Sequence, residues 1–318
     1  MGTLTFTGTG GIWEGSAGAA NVNINQDAVL DFNTTQDDVT CGSGSTIDEI
    51  FDAGGTASLW VYLRDDGLAA DADAGMLLYK GRYEILTTGN TGTSCKLQLA
   101  YSFTSSEGKW RSVDTAIKYN TWTHIAITYN NAADTNDPIM YINGVAEPAV
   151  GATGGITEVI EPDGTRNPDA DYDLIIGNVS TTGGKTTDGM IADVKLFSDI
   201  LSATEVLELA QKINYDISAG SIGNLVAWWK LDEGTGTSIA DSSVNSNTGT
   251  LSGPDWKFDA FSVNVHDNTT TTTGTTTVTQ GKLEGLSLSS VDFDGGADYI
   301  KFPAAADPTA YTISAWVQ

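Results

Sequence analysis

Cationic and sulfur-bearing side chains are scarce in this sequence. Its 318 residues hold 15 Lys+Arg against 41 Asp+Glu, with two His, two Cys, four Met and seven Pro. The resulting formal charge of −26 repels phosphate backbones and anionic lipid, which argues against nucleic acid and membrane surfaces as partners. Two cysteines, Cys41 and Cys95, cannot make a disulfide framework, and no CxxC or Cys/His cluster points to zinc. One bridge between them and two free thiols both stay open. Two histidines, His124 and His266, do not suffice for a nucleophile–base–acid constellation. His124 sits among Trp122, Ile125 and Ile127 and reads as a core or sheet-face residue. No window approaches the roughly 18 apolar residues of a membrane span. The opening MGTLTFTGTGGIWEG shows neither a basic n-region nor an apolar stretch after it, so no signal peptide is visible.

What is abundant is turn and strand chemistry: 36 Gly and eight Trp, with many Thr, Asn and Asp. Such a composition suits many short strands joined by polar turns. Residues 120–148 predict a strand, a polar turn and a second strand closed by Asn143-Gly144, since Ile125, Ile127 and Tyr129 alternate, as do Ile139 and Tyr141. Residues 88–113 predict a hairpin, and 171–180 and 189–201 predict further strands. Helical periodicity is confined to 202–214, where Ser202 and Glu205 form a capping box and Val206, Leu209, Ala210 and Ile213 form one stripe. The expectation is an all-β sandwich or jelly roll.

The chain also repeats itself. AVLDFNTTQDDVT (28–40) has a counterpart in SSVDFDGGADYIKF (289–302), and GGTASLWVYL (54–63) in TAYTISAWVQ (309–318), aligning Trp60 with Trp316. This predicts a complete first domain over 1–214, a linker over 215–224, and the N-terminal part of a second domain over 225–318. A final strand that stops part-way through a domain predicts a longer native polypeptide or a half-domain completed by another chain.

Three motifs resemble the laminin G-like group of the concanavalin A-like lectin/glucanase superfamily. WTHIAITYN…IMYINGV (122–145) is similar to that group's central strand pair. GMIADVKLFSDILSATEVLEL (189–209) is similar to its closing strand and helix. LVAWWKLDEGTGTSIADSSVNSNTGTL (225–251), followed by VDFDGGADYIKF and YTISAWV, is similar to the way such a domain begins. The resemblance implies a two-sheet jelly roll, with the function left open because the fold carries lectins, glucanases and capsid-associated proteins alike.

The residues themselves narrow the chemistry. A retaining glycosidase needs two carboxylates about 5–5.5 Å apart. Asp171 and Asp173 have the spacing of two acids on one strand face, but no third acid follows, so a non-enzyme is expected. Exposed aromatics stack on sugar rings, and Trp13, Trp110, Tyr119 and Trp256 stand in turn-like or polar contexts suited to that. Trp60, Trp122 and Trp316 fall in strand patterns that predict core positions. Asp232, Asp241, Asn245 and Asn247 offer oxygen ligands, and the resemblance implies that such a segment, with acids such as Asp294 and Asp298, can hold Ca²⁺. The matching acids of the first copy are Asp37 and Asp38, but its N-terminus lacks the Asp-Glu-Gly…Asp-Ser-Ser segment. Asn33, Asn178 and Asn268 fit the N-glycosylation pattern, and the Thr-rich tract 268–281 reads as a hairpin or insertion loop. The functional expectation is Ca²⁺-assisted adhesion to glycans or surface proteins, outside the cell or on a virion surface. The alternative is a structural subunit that assembles into homo-oligomers or larger arrays.

Overall fold

The computed structural model describes residues 6–8, 11–13 and 28–257, apart from 35, 69–73, 114, 180–183, 212, 214–216 and 218–221. Contacts divide the chain into one unit of Met1–Gln26 with Phe258–Gln318 and a second of Asp27–Lys257. In the first, β1 (Phe6–Gly8) and β2 (Gly11–Trp13) form an antiparallel pair. The second copy of the repeat, together with Asp294, Asp298, His266, Asn268, Trp316 and the Thr-rich tract, lies outside the described residues.

The larger unit opens with β3 (Val29–Phe32), β4 (Asp38–Gly42), β5 (Gly55–Leu63), β6 (Ala74–Tyr79) and β7 (Tyr83–Thr88). It continues through β8 (Ser94–Tyr101), β9 (Gly108–Arg111), β10 (Ile117–Lys118), β11 (Trp122–Tyr129), β12 (Ile139–Ile142) and β13 (Val145–Ala146). β14 (Thr157–Ile160), β15 (Leu174–Ile176), β16 (Gly189–Phe197) and the short helix α1 (Ala203–Leu209) follow. β17 (Leu225–Trp229), β18 (Ser238–Ile239), β19 (Gly249–Ser252) and β20 (Asp255–Lys257) complete it. Among the described residues these strands build two antiparallel sheets. One runs β14-β9-β8-β7-β6-β15-β4-β19-β18 with β10 beside β8; the other runs β13-β12-β11-β5-β16-β3-β20 with β17 beside β16.

Strict alternation makes the sandwich. Ala57, Leu59, Val61 and Leu63 of β5 enter the shared core, Leu59 and Ala57 opposite Ile125 and Ile127 of β11, and share it with Leu97, Leu99, Tyr101 and Trp110 of the other sheet. Ser58, Trp60 and Tyr62 take the opposite face with His124 and Trp122. Trp60 is buried there, outside the core cluster, and Trp122 is only half-buried. Helix α1 covers part of that face, setting Val206 and Leu209 against Ala126, Tyr141 and Phe197. The capping box is present: the Glu205 N–H donates to the Ser202 hydroxyl and the Ser202 N–H to the Glu205 carboxylate. The helix stops at Leu209, with Ala210 as C-cap, so it is shorter than the stripe through Ile213 suggests. The expected Asn143-Gly144 turn is found, with φ of 51° and 77°.

The domain boundary differs from the expected one. Residues 225–257 do not open a separate unit: β17 bonds β16, β19 bonds β4 and β20 bonds β3, all within the unit Asp27–Lys257. The stretch 215–224 is not an exposed linker throughout, since Ile217 and Ile222 are buried beside Leu201 and Leu209. The physical reason is incomplete sheets. Without β17 and β19 the inner faces of β16 and β4 would lose Trp229, Leu231, Ile239 and Leu251, all buried in the main core. Cys41 and Cys95 are both buried and free. Among the described residues no helix is long and apolar enough to cross a membrane.

One consequence is testable. Trp229→Ala should destabilise the whole sandwich by about 3–5 kcal/mol, as for other buried aromatics. Denaturant unfolding followed through Trp110, itself fully buried, would show no shift if residues 225–257 belonged to an independent unit.

Candidate functional site

An open cleft lies at the rim of the ten-stranded sheet, where β8, β9 and β14 meet the loop before β14. On β8, Leu97 and Leu99 point into the core, so Lys96 and Gln98 take the other face. Register places Gln98 opposite Arg111 and Arg111 opposite Thr157. The Arg111 Nε–H donates to Gln98 Oε1 at 2.6 Å and makes a polar cross-strand pair. Residues 148–156 fold back on themselves: the Ile156 N–H donates to the Pro148 carbonyl at 3.0 Å and the Gly151 N–H to the Ile156 carbonyl at 3.2 Å. Two glycines permit this. Gly154 has φ +72°, and a Cβ on Gly155 would stand 2.5 Å from the Ala149 carbonyl oxygen. Buried Ile156 pins the loop to the core.

Between loop and sheet is an open cleft of about 610 Å³, lined by Lys96, Ser112, Val113, Val150, Thr157, Glu158 and, from the loop, Gly151, Ala152, Gly154, Gly155 and Ile156. It offers an ammonium, a carboxylate, hydroxyls and backbone groups beside short apolar patches. Burial raises the Glu158 carboxyl, and Asp137 and Glu161 raise it further. Burial also raises Glu147, which is held on the Val113 backbone. Nothing in the strand periodicities singled these residues out; the paired glycines of VGATGG were the one sequence signal of a shaped loop.

The aromatics expected to bind sugars lie elsewhere. Trp110 is fully buried, packs 5.2 Å from Tyr129 and donates its indole N–H to Asp137 Oδ1 at 2.9 Å. Its polar neighbours concealed a core residue, and the stacking role is withdrawn. Tyr119 is half-buried, with its hydroxyl buried near the Cys95 thiol. Trp256 is half-buried against the core and donates to the Gly236 carbonyl at 3.2 Å. Trp13 lies in β2, and its side chain is outside the described residues.

The expected metal residues do converge in part, around the carbonyl of Val226. Asn245 and Asn247 each donate a side-chain N–H to that carbonyl. Asp241 accepts from the Trp228, Ser243 and Asn247 backbone N–H groups, and from the Ser243 hydroxyl and the Asn247 amide. The Asn247 side-chain oxygen accepts from Thr46. A cation would have to displace these donors, so the three residues as arranged do not fit Ca²⁺. Asp232 lies in the loop between β17 and β18. Asp37 is likewise occupied, accepting from the Asn33 and Thr34 N–H groups. Among the described residues no cluster of three or more His, Cys, Asp or Glu is positioned to hold a metal ion. Buried Asn178 donates to the Asp37 carbonyl and the Thr186 hydroxyl, which excludes it as a glycosylation acceptor in the folded chain.

Catalytic pairs fare no better. Asp171 and Asp173 are exposed and precede β15 instead of sharing a strand face. His124 Nε2 lies 2.9 Å from the Ser58 hydroxyl, but His124 Nδ1 has no hydrogen-bond partner. Burial, with Lys195 nearby, pushes the imidazole down to about 3, so it is a poor base at neutral pH.

With two packed antiparallel sheets, a helix against one of them and a rim cleft, the molecule has a lectin-type sandwich architecture. Residues 33–207, more than half of the chain, match the Laminin_G_3 model of the concanavalin A-like lectin/glucanases superfamily, and the chain belongs to that family. No curated protein matches its sequence. Among solved structures it is similar to a Bacteroides ovatus protein assigned provisionally to carbohydrate binding, at 17% identity and TM-score 0.52, covering 78% of this chain and 67% of that one. It is also similar to a heptameric SAP-like pentraxin from Limulus polyphemus, at 14% identity and TM-score 0.41, covering 58% and 82%. A third is the CBM40 of a Ruminococcus gnavus sialidase bound to α2,3 sialyllactose, at 12% identity and TM-score 0.36, covering 53% and 91%. At these identities the likeness is one of fold.

Asp241→Ala should lower Tm by several degrees, while Ca²⁺ or EDTA should leave the wild-type Tm within about 1 °C; a Ca²⁺-dependent rise that Asp241→Ala abolishes would restore the metal reading. For His124, the unfolded chain takes up a proton below its ordinary 6.5 and the folded chain only near 3. Stability therefore falls as pH drops through that window, by about 2 kcal/mol between pH 6.5 and about 4.5. His124→Gln should remove that share of the acid sensitivity in urea titrations at the two pH values.

Proposed function

We propose that the unit Asp27–Lys257 is a glycan-binding module working outside the cell or on a particle surface, and that the rim cleft is its binding site. The observation that carries this is the cleft itself: its size lies within the range of small-ligand sites, and its lining includes donors, acceptors and apolar groups. A sugar ring presents the complementary mixture, hydroxyls at its edge and C–H groups on its faces. Val113 and Val150 can meet the faces, while Lys96, Ser112, Thr157 and Glu158 can meet the hydroxyls. Membership in the lectin/glucanase superfamily supports the ligand class without naming the sugar. The reading assigns no catalytic role, since the carboxylates described do not form an acid–base pair across the cleft. It assigns no role to Ca²⁺, because Asp241, Asn245 and Asn247 are engaged with the backbone of β17, with one another and with Thr46.

The test is a screen on immobilised glycans followed by titration of the best binder. Lys96→Ala and Glu158→Ala should each weaken it about tenfold or more, the usual loss of a charged hydrogen bond, in variants that circular dichroism shows to be folded. Absence of glycan binding in a chain that forms a defined oligomer by light scattering would favour the structural-subunit reading instead.

A further inference from the structure

A second group of polar atoms lies inside the sandwich, between the two sheets. Tyr83 and Tyr101 are register partners on β7 and β8, their rings 6.2 Å apart and inclined by 17°. Tyr129 of the facing sheet stands 6.1 Å from Tyr101, and Phe51 touches all three, at 5.2 Å from Tyr83, 6.4 Å from Tyr101 and 6.0 Å from Tyr129. Asn131 is fixed beside them by its backbone N–H, which donates to the Phe51 carbonyl at 2.9 Å. Asp169 Oδ1 accepts from the Glu49 N–H at 2.9 Å and lies 3.2 Å from Lys80 Nζ. Tyr83, Tyr101, Tyr129, Asn131 and Asp169 are each no more than 1% exposed.

The three phenol oxygens, both amide atoms of Asn131 and Asp169 Oδ2 are nevertheless buried without a protein hydrogen-bond partner. Asn131 lies close to the Tyr101 hydroxyl, yet its amide does not reach hydrogen-bond geometry. Six such atoms left unsatisfied in one neighbourhood would cost a large part of a domain's net stability. Something must satisfy them, and their chemistry restricts what. Asn131 Nδ2 only donates, whereas Asp169 Oδ2 and Asn131 Oδ1 accept. A cation would leave the amide donor unmet, and an anion would face the Asp169 carboxylate. Water donates and accepts, and buried polar sites of this kind are where proteins keep it.

We infer that Tyr83, Tyr101, Tyr129, Asn131 and Asp169 form an internal hydration site that binds ordered water between the sheets. The water joins the aromatic core to the ion pairs at Lys80 and fastens the loop carrying Phe51. Two measurements on the intact chain decide it. Calorimetry of Tyr101→Phe should show Tm lowered by about 2–4 °C, because the bound water loses a partner; an unchanged or raised Tm, the result for an orphan hydroxyl, would overturn the proposal. A high-resolution crystal structure should show ordered solvent within hydrogen-bond distance of Asp169 Oδ2 and at least two of the phenol oxygens. Direct side-chain bonds among these groups, with no solvent between them, would overturn it whatever the Tm.

Discussion

The edge of β16 is the constraint on which the rest of this sandwich depends. One side of the strand bonds β5 almost throughout; the other is divided, with β3 on Gly189–Ile191 and β17 on Val194–Phe197. Those two partners come from opposite ends of the unit, so the sheet closes only when residues near 30 and near 227 meet. Unpaired backbone groups in so buried a strand would be costly, which is why the late segment must return. The junction is a bulge at Asp193, with φ 56° and its N–H donating to the Lys230 carbonyl. The extra residue keeps Ile191, Val194 and Leu196 all facing the core. Its carboxylate then serves locally, pairing with Lys195 and accepting from the Trp228 indole.

The shortage of cations acquires a structural meaning at such places. Lys195 is buried with Asp193, and Lys80 is buried among Asp48, Asp169 and the Tyr172 carbonyl. Arg166 ties Glu49 to Asp52, and Arg64 ties Asp31 to Asp188. Buried or partly buried carboxylates need such partners, because a lone charge in the interior is prohibitive while an exposed one is cheap. Several of the few Lys and Arg residues are thereby committed to joining loops, while buried Asp37 and Asp66 accept from backbone N–H groups and buried Asp38 accepts from the Thr40 hydroxyl.

The proposed binding cleft follows from the same architecture. The sheet supplies the floor through β8, which is buried along most of its length, and the glycine-shaped loop 148–156 supplies a wall anchored by Ile156. Side chains on such a floor are held in place before a ligand arrives, which reduces the entropy lost on binding. A polar rim site on a fixed scaffold is how one fold can serve many ligands with little change to its core.

Much of the fold was legible along the chain. Alternation at 55–63, 94–101 and 122–129, the Asn143-Gly144 turn and the Ser202/Glu205 capping box are local facts, set by a two-residue side-chain period, by φ preferences and by side-chain reach. The family resemblance rested on the same motifs. Position in the third dimension was not legible. Trp110 reads as exposed from its polar neighbours Lys109 and Arg111, yet those two point away while the indole enters the core. Asp241, Asn245 and Asn247 have the composition of a calcium loop, yet their hydrogen bonds run to one another, to the backbone of β17 and to Thr46. The stretch 225–257 reads as the start of a new domain, yet it completes the one before it. The sequence by itself determined which residues alternate, turn and cap, because those choices are made within a few residues. Only the tertiary structure decided which segment fills which sheet edge and which polar groups find partners, because both depend on contacts between residues as much as 200 positions apart, such as Thr46 and Asn247.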